Sequence, residues 1–409
     1  MNIAFVSSAS ANSSGGDGRV ARELAEVLSK TPSENNILLI LSGEETGKTK
    51  TTKTFTQFEI SGRKKQDVIL PLLDPVKINS LLKVLRDFSP DIIHFHDQGP
   101  AAFVSLLWAL KNKTPTVFTS HTIPSEVVTF GLAELFPKMQ SLFDSKVFDS
   151  YFDLFLKKSS AIIAINDSVL KDLETYDLET PVYTIPNGRN LENYADLSCA
   201  DITATPKKLI FVGYLNKRKN QAYLIDAMKH LPKKEFELNL IGVPLNDGYD
   251  ELLKNKVEKA EVLVSFVGKV PHKKIPKMLE ESHFFVSASL KEVQSLSVLE
   301  ALASGTPIVS LENETTNEFV DVSVGYNFPL ETAPKDFAAK LKELASLPQE
   351  DYQALCLAAK EKVSHMDWSN VASQTLEMYE EVVSEAGEHS KGLNGLKNLL
   401  KSVDMRLFE

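Results

Sequence analysis

Apolar residues in this chain fall into short runs separated by amphipathic stretches, and that alternation occurs twice over. In residues 1–190 the runs NIAFVSS, NNILLILS, DIIHFHD, TVFTSH, SAIIAIN and VYTIPN have the length and apolar content of buried strands. Between them VARELAEVLSK and KINSLLKVLRDF repeat apolar positions at helical spacing. From Lys207 the alternation restarts with KLIFVGYL, FELNLIG, VSFVGKV, HFFVSAS and TPIVSL. Strands alternating with helices predict parallel sheets in doubly wound α/β domains. The stretch NGRNLENYADLSCADITATPKK is polar and turn-prone, as a linker is. The pattern predicts one α/β domain over 1–190, a linker over 191–206, a second α/β domain over 207–386, and a C-terminal helix or tail over 387–409.

The most informative stretch runs from Ser287 to Ser310, SASLKEVQSLSVLEALASGTPIVS. HFFVSAS before it reads as a buried strand, Ser295 as a helix N-cap, and SLSVLEALASG as a short helix closed by Gly305 and followed by Pro307. TPIVSL then starts the next strand, giving a βαβ unit whose helix opens at the carboxyl edge of a parallel sheet. Ligands bind at that edge, and a helix N-terminus there favours phosphate. Glu292 sits in the polar elbow and Glu300 inside the helix. Two carboxylates so placed can grip hydroxyls at two ends of a nucleotide sugar, with the pyrophosphate between them.

Composition narrows the choice. With 409 residues, two domains are the natural expectation. Hydrophobic content of 43% and charged content of 24% are those of a soluble globular protein. No apolar run is long enough to cross a bilayer, and MNIAFVSSAS lacks the basic region of a signal peptide. Cys199 and Cys356 lie far apart, against a disulfide framework or zinc site, so a cytoplasmic protein is expected. Net charge of −10 makes nucleic acid a poor partner. Residues 1–190 carry 20 Lys and Arg against 22 Asp and Glu, the remainder 25 against 33, so the first half is the more compatible with an anionic surface.

The run from Glu292 through Leu299-Glu300-Ala301 to Ser304-Gly305-Thr306-Pro307 resembles the donor-binding signature of retaining glycosyltransferases of the GT-B fold, family 4. Gln294-Ser295 replaces the phenylalanine–glycine pair usual after the first glutamate. With Leu296 this Gln-Ser-Leu variant is similar to the diacylglycerol glucosyltransferase branch and related glycolipid enzymes. The resemblance implies a GT-B architecture, two doubly wound domains facing across a cleft, and transfer of a hexose with retention from a nucleoside diphosphate sugar, UDP-hexose by expectation, to a hydroxyl acceptor. It also implies that the leaving phosphate, rather than a side chain, takes the acceptor proton. The donor would lie against Glu292, Gln294, Ser295, Leu296 and Glu300.

FVGYLNKRKNQAYLIDA resembles the loop that opens the family's second domain. Gly213, Leu215 and Lys219 match, but Tyr214 stands where an arginine that holds the diphosphate is usual. Lys217 or Arg218 is close enough in sequence to replace it, and Lys219 keeps its implied phosphate role. SFVGKVPHKKIPKML resembles the segment whose backbone holds the nucleobase, which marks Val270; His272 there reads as a surface residue. In the first domain, the glycine-rich turn at Gly15, Gly16 and Gly18 leads into a helix, and the resemblance places Gly16 beside the donor. His121 follows a strand end, where the family has a histidine against the donor sugar, and Asp97-Gln98-Gly99-Pro100 would line the acceptor side. His94 is expected in the core.

Residues 130–156 are rich in phenylalanine and serve either as core or as the wall of a lipid acceptor site. The basic tail with Lys391, Lys397, Lys401 and Arg406 either packs on the first domain or touches a membrane as a peripheral contact. No Asp-x-Asp sequence occurs, so no metal and no other cofactor is expected. A polysaccharide or glycan-chain hexosyltransferase and a catalytically silent accessory protein remain the alternative readings. The oligomeric state is open.

Overall fold

The computed structural model describes residues 1–10, 16–31, 35–65, 68–71, 73–126, 146–245 and 248–388. Most of the phenylalanine-rich segment and the basic tail therefore lie outside the described residues. The chain forms two compact units, Met1–Gly188 with Ser369–Glu409, and Arg189–Trp368.

The first unit holds β1 (Asn2–Ser10), β2 (Asn36–Gly43), β3 (Gly47–Thr51), β4 (Phe55–Lys65), β5 (Val68–Pro71), β6 (Ile92–Phe95), β7 (Thr116–Ser120), β8 (Ala161–Ala164) and β9 (Val182–Thr184). They lie in the order β3-β4-β2-β1-β6-β7-β8-β9, with β5 also paired to β4. The central strands are parallel and buried on both faces, which is why they read as continuous apolar runs. β3 and β5 run antiparallel to β4 at one edge, so the sheet is mixed where the pattern predicts a wholly parallel one. The pattern overlooks β3 because GKTKT has no apolar face; an exposed edge strand carrying lysines needs none.

The second unit holds β10 (Lys207–Val212), β11 (Phe236–Ile241), β12 (Val264–Gly268), β13 (Phe284–Ser287), β14 (Ile308–Leu311) and β15 (Gly325–Phe328). All are parallel, in the order β12-β11-β10-β13-β14-β15. Both units thus wind outward in two directions from their first strand. The order reverses between β1 and β6 in one and between β10 and β13 in the other, and the crevice at the carboxyl ends there is where such sheets bind ligands.

The domain limits differ from the expected ones at both ends of the second domain. Residues 191–206 are not a free linker: Tyr194 and Ile202 are buried in the second unit's core, Lys360 Nζ donates to the Leu197 carbonyl at 2.6 Å, and Ile202 N–H donates to Gln349 Oε1 at 3.1 Å. Two apolar anchors within a polar stretch suffice to dock it. At the other end the helix Trp368–Glu388 belongs to the first unit from Ser369 onward. Its buried Val371, Thr375, Met378, Tyr379 and Val382 form one stripe at helical spacing, and Tyr379 reaches His94 of β6. Cys199 and Cys356, distant in sequence, meet in the second unit's core as free thiols.

Candidate active site

The loop after β10 and the elbow after β13 meet beside the second unit's switch point. Asn220 has left-handed φ of 52° and starts the helix Gln221–Met228. Asn216 Oδ1 accepts from Lys219 N–H at 2.8 Å, which folds the Lys217–Lys219 stretch back on itself. Lys219 then reaches Glu292 in a close ion pair, and Arg218 lies 3.5 Å from the same carboxylate oxygen while donating to the Lys291 carbonyl at 2.7 Å. Lys217 points to solvent. Tyr214 is half-buried, its carbonyl accepting from Gln221 Nε2 at 2.9 Å. Of the two candidates to replace the missing arginine, it is Arg218 that comes to the site.

Burial alone would raise the Glu292 carboxyl, but the positive charges of Lys219 and Arg218 overcome it and hold the group below the usual carboxylate range. Glu292 is therefore ionised near neutral pH. The elbow's shape is fixed from the next helix, Glu314–Phe319. Asn313 and Thr316 form a reciprocal cap at its start, Asn313 Nδ2 donates to the Ser289 carbonyl at 3.2 Å, and Thr315 N–H donates to the Glu292 carbonyl at 3.2 Å. Thr315 Oγ1 also accepts from Ser295 N–H at 2.8 Å, and Lys291 pairs with Glu314.

Ser295 occupies the N-cap of the helix Leu296–Ser304 as expected, but its hydroxyl makes no capping bond and lies 3.2 Å from Ser297 Oγ instead. The dipole at this helix start is not closed off by a side chain. Gly305, at φ 77°, ends the helix in the left-handed conformation that glycine tolerates. Gln294 and Ser295 are buried in the elbow. Glu300, one turn on, is buried and accepts from His272 Nε2 at 2.9 Å. His272 is exposed, as expected, and it partners the second carboxylate. Val270, before it, packs against the apolar cluster that includes Leu299 and Ala301.

In the first unit the site residues lie at the carboxyl ends of β1, β6 and β7. Gly16 opens the helix Gly16–Leu28. At Gly18 a Cβ would stand 1.9 Å from that of Ala9. His121 follows β7, and its Nε2 lies 2.9 Å from His96 Nδ1, with the two rings stacked at 5.2 Å. His94 packs against His96 with the rings tilted by 35° and 4.2 Å between centroids, and is itself held by Tyr379 (2.5 Å) and Thr119 (2.6 Å). His94 is buried, as expected; burial, with His121 nearby, pushes it down to about 3, and burial drives His96 well below its ordinary value. Both are neutral. Asp97 accepts from Ser8 Oγ at 2.8 Å and Gly99 N–H at 2.7 Å, so it ties the end of β6 to β1.

Sequence reasoning missed His96, His272 and the 313–316 brace. The signals were present. His94 on β6 and His96 just past its end are two apart, the spacing of one strand face, and Asn313-x-x-Thr316 is a capping pattern.

Two family models match this arrangement, glycosyl transferases group 1 over residues 200–362 and glycosyltransferase family 4 over residues 14–193. The chain belongs to the family 4 glycosyltransferases of the GT-B fold. Among its relatives is the phosphatidyl-myo-inositol mannosyltransferase of Mycobacterium leprae, 25% identical over 313 residues that span 74% of this chain and 77% of the relative. Another is the alpha-monoglucosyldiacylglycerol synthase of Streptococcus pneumoniae, 25% identical over 58% of this chain and 56% of that protein. The fold is shared with the sucrose-phosphate synthase of Thermosynechococcus elongatus (TM-score 0.74, 16% identity, 94% of this chain and 99% of that one). It is shared equally with the Anabaena protein HepE solved with UDP-glucose (TM-score 0.71, 16% identity, 93% of this chain and 100% of that one). The protein is a glycosyltransferase.

Proposed function

We propose that the protein is a retaining hexosyltransferase that moves a sugar from a UDP-hexose to the hydroxyl of a membrane lipid. The observation that carries the donor reading is the pairing of Arg218 and Lys219 on buried Glu292, beside an uncapped helix start at the β10/β13 switch point. Two cations and a helix dipole can together offset the charge of a departing diphosphate, so no divalent metal is needed in this reading. Glu300 takes the ribose hydroxyls, and the backbone near Val270 takes the base. Glu292 addresses the sugar, and His121 keeps the sugar-facing role that the family resemblance implies. The acceptor oxygen bonds to the anomeric carbon on the face from which UDP leaves, the carbon–phosphate-oxygen bond breaks, and the acceptor proton passes to the departing phosphate.

The lipid acceptor is supported by the two glycolipid enzymes among the relatives and by the near-neutral charge of residues 1–190. Among the described residues no helix is long and apolar enough to cross a membrane, so attachment in this reading is peripheral. The test is UDP release from UDP-glucose in the presence of a chelator, with anionic vesicles containing diacylglycerol or with soluble sugars. Glucose should enter the lipid with its α configuration kept. Transfer only to soluble sugars would make the protein a glycan-chain enzyme, and an inverted product would overturn retention.

A further inference from the structure

The His96–His121 hydrogen bond admits only one arrangement of protons that leaves no buried donor stranded. His96 is 2% exposed, and neutral, so its ring carries a single proton on either Nδ1 or Nε2. Its Nδ1 faces His121 Nε2 at 2.9 Å. Its Nε2 is buried with no hydrogen-bond partner among the described residues. A proton on Nε2 would be a stranded N–H, which proteins tolerate less well than an unused lone pair. The proton therefore sits on Nδ1 and is donated to His121 Nε2.

From this we propose that His96 is a positioning residue that fixes His121 as the tautomer protonated at Nδ1. His121 then works through an Nδ1–H that donates, and its Nε2 is already occupied as an acceptor. His121 cannot serve as a base through Nε2, because that lone pair is engaged. His96 is backed by His94, whose ring packs against it and whose two nitrogens are held by Tyr379 and Thr119. Asp97, the next residue, accepts from Ser8 Oγ and Gly99 N–H. The placement of the proton stands on this geometry together with the neutrality that burial gives His96; its use in transfer rests on the donor reading above.

The test has two arms on the full chain. Long-range ¹H–¹⁵N spectra of ¹⁵N-histidine-labelled protein should show His121 protonated at Nδ1 and bare at Nε2, and His96 likewise protonated at Nδ1 and bare at Nε2. A His121 carrying its proton on Nε2 would overturn the proposal. In the second arm, His96→Leu should cut UDP release from UDP-glucose on the order of tenfold, the loss of about one hydrogen bond. His96→Asn, whose amide N–H can stand near the Nδ1 position, should recover most of it. Equal losses in both variants, at unchanged melting temperature, would also overturn the proposal. Failure of the donor reading looks different: UDP would leave the melting temperature of the wild-type protein unmoved while the tautomer spectra stayed as described.

Discussion

The two units carry the same winding and put their polar residues at the same place, the carboxyl ends beside the strand-order reversal, yet they fill it with opposite electrostatics. In the first unit the buried centre is neutral: two imidazoles held uncharged by burial, braced by a tyrosine and a threonine, with His121 at the end. In the second it is ionic: Glu292 stands against Lys219 and Arg218, with Glu300 hydrogen-bonded to His272. A shared frame therefore does not dictate a shared chemistry. The ionic centre has the cations a diphosphate requires. The neutral centre offers directed N–H and lone-pair groups, which suit sugar hydroxyls and a reacting centre whose charge is transient.

The contrast breaks first at Glu292. Glu292→Ala removes the acceptor facing two cations and the group proposed to touch the sugar. Turnover should fall by the worth of a charged hydrogen bond, about 1.5–3 kcal/mol or roughly ten- to a hundredfold. Initial rates of UDP release measure it, and wild-type rates would remove Glu292 from the reaction.

Next comes the charge preference of the second unit. Lys219→Ala should weaken UDP binding by on the order of tenfold while leaving uridine binding nearly unchanged, because only the diphosphate answers the lysine. Calorimetric titration with both ligands separates them; equal losses would make the loop a general structural element. Tyr214→Arg should change UDP affinity little, since Arg218 already stands at Glu292. A marked gain would mean that Arg218 does not fill the missing role.

The neutral centre should show itself in acid. His94 is held down to about 3, against about 6.5 in an unfolded chain, so below pH 6.5 the unfolded state binds the extra proton. Stability is fully present above that pH and is lost as pH falls toward 3, by up to about 1.4 kcal/mol per pH unit for each such histidine. Hydrogen exchange of β6 and β7 amides between pH 7 and 4.5 reads this loss. His94→Gln should flatten the dependence, and an unchanged slope would mean that His94 does not carry it.

The smallest effect belongs to His272. Its imidazole is half-exposed, so His272→Ala should weaken UDP binding by about 1 kcal/mol or less, whereas Glu300→Ala, which removes the proposed ribose clamp itself, should cost more. A larger loss from His272→Ala than from Glu300→Ala would reverse their roles.

How much of this was legible in the sequence depended on whether the determining interaction is local. The strand–elbow–helix around Glu292 and Glu300 was readable because strand pattern, N-cap and Gly305 lie within one short stretch. Lys219 was readable by resemblance, but its ion pair with Glu292 closes over 70 positions and is set by the neighbouring positions of β10 and β13. The segment 191–206 read as linker because Tyr194 and Ile202 are isolated apolar residues whose burial depends on a core built elsewhere. The helix Trp368–Glu388 was plain as a helix, yet nothing along it says that Tyr379 answers His94, which is far away in the chain.

The most direct test of the ionic centre as a diphosphate site is the melting temperature of the full chain with UDP in a chelating buffer. A ligand that binds only the folded state at a hundredfold over its dissociation constant stabilises by about 2.7 kcal/mol. The account predicts a clear upward shift with UDP and UDP-glucose, a small one with uridine, and loss of the UDP shift in Lys219→Ala. No shift with any nucleoside diphosphate or nucleotide sugar would contradict it.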